Sequence, residues 1–135
     1  MPIAGIGHDL VAIDRLERML RSEIGRRFVE RVLTPGEREY AQRRFGDEIT
    51  GRWVEFTAGR FAAKEAVVKA LGCGIGKMVG FHDLEILPDA AGRPVCLLSG
   101  RSGLRLGLHP DGYRIHLSIT HTEEFASAFA VLEML

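Results

Sequence analysis

Four charged side chains interrupt an otherwise apolar stretch, Phe56–Gly76, FTAGRFAAKEAVVKALGCGIG. They are Arg60, Lys64, Glu65 and Lys69. Charges set on an apolar surface need partners or a metal. The chain has three lysines, Lys64, Lys69 and Lys77, all in or just after this stretch, and arginine supplies the remaining fixed side-chain cations. A compact ammonium is a common point charge for binding phosphate. A plain i,i+4 pair between Glu65 and Lys69 on a solvated face would also account for two of the four. The surrounding surface is too apolar for that to be the whole explanation. A further acid, Asp9, lies mid-way along an apolar N-terminal run and shares its side with Gly5 and Gly7 by the two-residue strand period. An acid in that position must be paired, hydrogen-bonded or on a metal. His121 follows Ile115, Leu117 and Ile119 at the same parity, so it should project on the apolar side of a strand at its end.

The elements that must position these groups follow from propensity and pattern. Arg60 to Leu71 lacks Gly and Pro and carries four alanines, which predicts a helix. It is apolar nearly all round, so it belongs in a core. Gly72 falls where a left-handed cap would sit, and Gly74 and Gly76 follow it. Ile3 to Ile13 reads as a strand buried on both faces. Its two glycines leave room for something to approach the backbone. Asp14 fits an N-cap for a helical run Arg15–Leu20, and Gly25 should break the arginine-rich segment up to Arg31 into two pieces. Thr34-Pro35 reads as an N-cap followed by Pro at the first helical position, with Thr34 and Glu37 forming a capping box and the helix reaching about Arg44. Phe45 to Gly51 is a polar connection. Phe81–Leu87 and Pro94–Leu98 form a hairpin around Asp89–Gly92. Ser99–Leu108 is a short helix, and Tyr113–Thr120 and Phe125–Leu132 are the last strands. The fold class is therefore α+β: an N-terminal strand, several helices including one long buried central helix, then an antiparallel sheet.

Bulk properties narrow the function. The 135 residues suit one domain, 1–135. Lysine plus arginine balance aspartate plus glutamate at 18 each, which argues against bulk nucleic-acid binding. No apolar run reaches membrane-spanning length, and MPIAGIGHDL has no basic region followed by a hydrophobic one. A cytoplasmic protein is expected. Cys73 and Cys96 lack metal-ligand spacing and are read as reduced filler residues.

Three segments together carry a family likeness: GIGHDLVAIDRL at the start, FTAGRFAAKEAVVKALGCGIG in the middle and IHLSITHTEEFASAFAVLE at the end. In this order and spacing they closely resemble holo-acyl-carrier-protein synthases, the small class of 4′-phosphopantetheinyl transferases. LTPGE and DLEILPDAAGRPV are also similar to that family, so the resemblance covers essentially the whole chain. It implies transfer of the phosphopantetheine arm of coenzyme A to a serine of acyl carrier protein, releasing adenosine 3′,5′-bisphosphate. Such phosphoryl-type chemistry rests on positioning and charge neutralisation. By motif, the resemblance makes Asp9 and Glu65 the ligands of a Mg²⁺ ion. It sets Lys64 and Lys69 against phosphate charge, and Arg60 and His121 near the nucleotide phosphates. It lets the backbone at Gly72, Gly74 and Gly76 approach the ligand. For the serine proton it leaves Glu65, a water on Mg²⁺ and, as a weaker candidate, His121. It implies a homotrimer with sites between subunits. It also points to Arg15, Arg18, Arg21, Arg26 and Arg27 as the basic surface for an acidic carrier. His8 departs from the usual residue before the acid, and the loop from Phe45 to Trp53 has no clear match. Two rivals remain at this point: a hot-dog thioesterase acting on carrier-bound acyl groups, and a non-catalytic module binding an acidic partner through its arginines.

Overall fold

The computed structural model describes residues 2–135. Strand β1 (Ile3–Ala12) leads into helices α1 (Ile13–Leu20), α2 (Gly25–Val32), α3 (Pro35–Phe45) and α4 (Gly51–Ala70). A 3₁₀ turn at Phe81–Asp83 precedes the hairpin β2 (Leu84–Pro88) and β3 (Pro94–Leu98). Helix α5 (Gly100–Leu106) and strands β4 (Tyr113–His121) and β5 (Phe125–Met134) complete the chain. β1, β5 and β4 form one antiparallel sheet in that order, and β2 with β3 forms a separate one. The α+β expectation holds. A hot-dog fold would wrap the central helix in one continuous sheet, which this arrangement does not do.

Helix α4 starts nine residues before Arg60. Thr57 and Gly59 are poor helix formers, but tertiary packing outweighs propensity. Thr57 is buried with its hydroxyl donating to the Trp53 carbonyl, and a Cβ on Gly59 would meet Ile119 at 3.3 Å. The helix crosses the sheet obliquely. Its N-terminal half lies against β4 through Gly59 and Ile119, and its C-terminal half lies against β1.

Gly5 and Gly7 do admit a close neighbour, and it is the helix itself. A Cβ on Gly5 would fall 1.8 Å from the Ala70 carbonyl oxygen, and one on Gly7 would fall 1.8 Å from that of Ala66. β1 is buried on one face only, contrary to the sequence expectation. Gly7 and Val11 are buried toward α4, while Ile6 and Leu10 are 66% and 56% exposed on the other face. Phe125 and Phe129 of β5 are also exposed. His8 stacks on Phe129 with ring centroids 4.3 Å apart.

The helix signals behave mostly as read. Thr34 accepts from the Glu37 N–H, and the Glu37 side chain accepts from the Thr34 N–H, completing the capping box. Gly25 opens α2, where a Cβ would lie 1.9 Å from the Leu20 carbonyl oxygen. Asp14 is not the cap of α1: the helix begins at Ile13, and Ala12 stands at the N-cap position. The Ile13 N–H donates instead to the Glu124 carbonyl.

Candidate active site

One side-chain cluster forms where β1 meets the C-terminal half of α4. The strand period turns Asp9 toward the helix, and the helical period brings Glu65 and Lys69 to the same flank. The Lys69 ammonium donates to the His8 carbonyl at 2.9 Å and to Asp9 Oδ1 at 3.2 Å. Burial and the neighbouring Asp9 charge raise the Glu65 pKa above its ordinary value, against the opposing pull of Lys69. Asp9 thus pairs with the ammonium, and Glu65 stands near both. No group of three or more His, Cys, Asp or Glu side chains suited to a metal occurs among the described residues. The donor set is two hard oxygen ligands, which fits Mg²⁺, an ion that keeps waters and takes phosphate oxygens beside one or two carboxylates. The His8 imidazole lies on the outer sheet face, stacked on Phe129, and only its carbonyl reaches the cluster.

A second cluster forms at β4. His121 Nδ1 lies 3.0 Å from Glu55 Oε2. Both line a cleft of about 300 Å³ with Arg52, Arg60, Phe45 and Ile119. The Arg60 guanidinium lies over the Phe56 ring, 4.3 Å from its centroid, and its Nε donates to the Ile86 carbonyl. Those two contacts fix the side chain and leave the rest of the guanidinium fork without a hydrogen bond among the described residues. The Arg52 guanidinium lies 4.9 Å from the Phe45 ring centroid. The cleft is basic, with aromatic walls.

The two clusters do not meet within one chain. β5 separates β1 from β4, so their backbones are about 10 Å apart. Glu55 and Lys69 are about 20 Å apart along the helix axis. Arg60 and Glu65 leave the helix about 140° apart.

Lys64 requires correction. It was expected against phosphate, but its side chain is fully buried and its ammonium is saturated. It donates to Glu37 Oε1 at 2.6 Å, the Val32 carbonyl at 2.7 Å and the Phe81 carbonyl at 3.0 Å. Burial lowers its pKa while Glu37 opposes the shift. The glycine segment is corrected in part. Gly72 takes the left-handed cap at φ 81°. Its N–H donates to the Lys69 carbonyl, and the Gly76 N–H donates to Val79, so both amides are committed internally. The Gly74 N–H makes no backbone hydrogen bond among the described residues, and its α-carbon faces open space.

Arg15, Arg18, Arg21, Arg26 and Arg27 are all exposed on or beside α1 and α2. Arg21 is engaged with Glu17 and the Ile49 carbonyl, and Arg26 with Glu30. Glu55 is not legible from the sequence, because the predicted helix begins only at Arg60. Continuing the helical period back from Arg60 places Glu55 and Arg52 in the preceding turns of α4. Glu55 then lies within one turn of Gly59, whose neighbour across the interface is Ile119, two residues before His121.

Comparison with known proteins agrees with this architecture. Residues 5–130 match the 4′-phosphopantetheinyl transferase superfamily. A holo-[acyl-carrier-protein] synthase of Bacillus cereus is 44% identical over 133 residues, covering 98% of each chain. The crystal structure of a holo-(acyl-carrier-protein) synthase from Bacillus anthracis in complex with CoA (3′,5′-ADP) superposes with a TM-score of 0.78 at 43% identity, covering 97% of this chain and 96% of that one. The corresponding enzyme of Neisseria meningitidis gives a TM-score of 0.82 at 35% identity, covering 98% and 99%. With its fold and nearly its full length shared, the chain belongs to the 4′-phosphopantetheinyl transferase superfamily, in the family of the holo-acyl-carrier-protein synthases.

Proposed function

We propose that this enzyme transfers the 4′-phosphopantetheine group of coenzyme A to a serine hydroxyl of acyl carrier protein, with Mg²⁺ required and adenosine 3′,5′-bisphosphate released. The observation that carries this reading is the pairing of Asp9 with Glu65 beside Lys69, on two elements locked together by Gly5 and Gly7. Bound Mg²⁺ would supply Lewis-acid neutralisation of pyrophosphate charge. The chain's own groups do the rest. Asp9 and Glu65 hold the cation. Lys69, half-exposed, places its ammonium against charge that grows as the bond from phosphorus to the leaving phosphate breaks. Glu65 is favoured over His121 as acceptor of the serine proton, because His121 is given to the nucleotide phosphates. Arg60 and His121, with Arg52, hold nucleotide phosphates, and the Gly74 amide is free to approach the ligand. The carrier docks on Arg15, Arg18, Arg21, Arg26 and Arg27.

The separation of the clusters supports a site shared between copies. One copy supplies Asp9, Glu65 and Lys69, and the next supplies Arg60 and His121. The exposed Ile6, Leu10, Phe125 and Phe129 give the outer sheet face an apolar surface by which copies would associate. The assembly is a homotrimer of one transferase domain, residues 1–135. The free thiols of Cys73 and Cys96 suit a reducing cytoplasm, and no helix among the described residues is long and apolar enough to cross a membrane.

The test is release of adenosine 3′,5′-bisphosphate from coenzyme A with apo carrier protein. Chelator should abolish it, as should Asp9→Ala or Glu65→Ala in folded protein. Full activity in excess chelator would remove the metal from the reading. Co-expression of Asp9→Ala with His121→Ala should restore up to about a quarter of wild-type activity, the fraction of random mixed sites with both halves intact. No restoration would mean that each chain carries its own complete site.

A further inference from the structure

A hollow of about 450 Å³ is lined by Arg31, Ile75, Phe81, His82, Asp83 and Arg101. Neither cluster of the transfer site includes it. Its acid, Asp83, is buried and already engaged by the Gly80 N–H, the Ser99 hydroxyl and the Arg101 guanidinium. Arg101 commits one nitrogen to that bond, and its side chain is 67% exposed. One turn further along α5, Arg105 donates to the Lys77 carbonyl at 2.6 Å and so holds the Lys77 backbone beside the helix. Arg31, Lys77, Arg101 and Arg105 are exposed, and among the described residues Arg31, Lys77 and Arg105 make no salt bridge. The whole chain balances 18 basic against 18 acidic residues, so cations gathered around a single matched acid are a segregated charge and not the average of the surface.

Three aromatic rings tie this hollow to the chemistry. The Phe28 and Phe61 centroids are 5.9 Å apart, and those of Phe61 and Phe81 are 5.7 Å apart. Phe28 lies between Arg27 and Arg31 on α2, Phe61 lies one turn before Glu65 on α4, and Phe81 lines the hollow. The row of rings therefore joins the arginines of α2, the stripe that bears Glu65, and the hollow. Ile75, on the hollow's wall, belongs to the segment that follows Lys69. An acidic protein that rests on α1 and α2 and brings a serine to Glu65 has the rim of this hollow within reach. We infer that the footprint of the carrier runs past α2, across Arg31, to Arg101 and Arg105 of α5, which meet acidic side chains of the carrier beyond those that α1 meets. This rests on the proposed function for the identity of the partner. Cations placed so far from α1 fix the register of an acidic partner as well as steering its approach.

Binding of apo acyl carrier protein without coenzyme A, followed by fluorescence anisotropy at low salt, tests it. Arg31→Glu and Arg105→Glu carry the decision, because neither side chain bonds a carboxylate and neither reversal should move the melting temperature. Each should weaken binding about two- to five-fold. Together they should weaken it by the product of the two factors, as sites without a shared partner usually do. Arg101→Gln, which keeps a donor toward Asp83, should weaken binding within the same range. In the transfer assay the Michaelis constant for carrier should rise by the matching factor, and that for coenzyme A should hold. Salt at roughly 0.5 M should erase the differences by screening. Carrier binding unchanged in the double variant would overturn the inference, as would a wild-type protein that does not bind carrier. A rise in the Michaelis constant for coenzyme A instead would give these cations to the nucleotide and overturn it too. A wild type that binds carrier through these arginines but releases no adenosine 3′,5′-bisphosphate would sink the proposed function and leave the docking surface standing.

Discussion

Two lysine–carboxylate pairs hang from helix α4 and are built in opposite ways. Lys64 meets Glu37 at 2.6 Å with both side chains at 0% exposure. Around them the Val32 and Phe81 carbonyls take the other two ammonium hydrogens, and the Thr34 and Ile86 amides donate to the carboxylate. Lys69 meets Asp9 at 3.2 Å, with side chains 51% and 18% exposed and a second carboxylate, Glu65, alongside. The first pair is finished within the chain. It joins the end of α2, the start of α3 and β2 to the central helix. The second has more negative than positive charge and room for solvent, so it is completed from outside. A charge at a site differs from a charge in a frame by what is left unsatisfied.

The largest effect should come from breaking the finished pair. Removing one partner of a buried ion pair leaves the other uncompensated, at roughly 3–5 kcal/mol. Glu37→Ala or Lys64→Ala should lower unfolding free energy in urea by that amount, whereas Asp9→Ala should leave it nearly unchanged. Replacing both, as Lys64→Met with Glu37→Leu, removes the unpaired charge but should recover only part of the loss, because the Val32 and Phe81 carbonyls and the Thr34 and Ile86 amides lose their partners. If Glu37→Ala is as stable as wild type, the contrast between frame and site collapses. Next in size is Lys69→Ala. A donor aimed at developing charge is worth about a hundredfold in turnover. Transfer should fall by that factor while melting temperature and carrier binding hold. An unchanged rate would make the open pair as structural as the closed one.

The sequence showed the frame and the site unequally, and the reason is physical. Periodicity and caps are local, so the capping box at Thr34 and Glu37 and the left-handed cap at Gly72 were legible. Charges set in apolar runs marked Asp9, Glu65 and Lys69, the family motif gave them roles, and the structure brings these three together. The motif could not separate Lys64 from Lys69, because burial depends on what packs over the helix. Glu37, far away in sequence, decides that. Likewise the glycines of β1 signalled a close approach without naming the helix that makes it. The N-terminal turns of α4 were missed because Thr57 and Gly59 weaken propensity, and Glu55 was missed with them.

A third carboxylate tests whether complete hydrogen bonding, rather than ion pairing alone, marks the frame. Asp83 is a buried acid. Burial alone would raise its pKa, but bonds from the Gly80 N–H, the Ser99 hydroxyl and the Arg101 guanidinium bring it down from 3.8 to about 2. A pKa lowered on folding adds stability that is fully present above the unfolded value and is lost as pH falls through the folded one. Thermal unfolding should therefore show wild type well above Asp83→Asn at pH 6, with the gap closing between about pH 4 and pH 2. A gap independent of pH would mean that the bonds to Asp83 do not require its charge.

The smallest effects belong to charges with neither frame nor site around them. Arg15 and Arg18 are exposed, and neither has a salt bridge among the described residues. Glu17, Glu23 and Glu30 are interspersed, and Glu17 and Glu30 already occupy Arg21 and Arg26. An ordinary solvated helix would look much the same. α1 follows β1 directly, however, which brings these arginines close to Asp9. Exposed charges act on encounter and are screened over about 8 Å at physiological salt. Each should change affinity only a few-fold, about two- to five-fold. Arg15→Glu or Arg18→Glu should therefore raise the Michaelis constant for carrier protein by that factor at low salt. The constant for coenzyme A should stay unchanged, and the salt dependence should flatten. Because these arginines are exposed, melting temperature should not move, which separates docking from any effect on the frame. Carrier kinetics untouched by both reversals at low salt would place the acidic partner on another face.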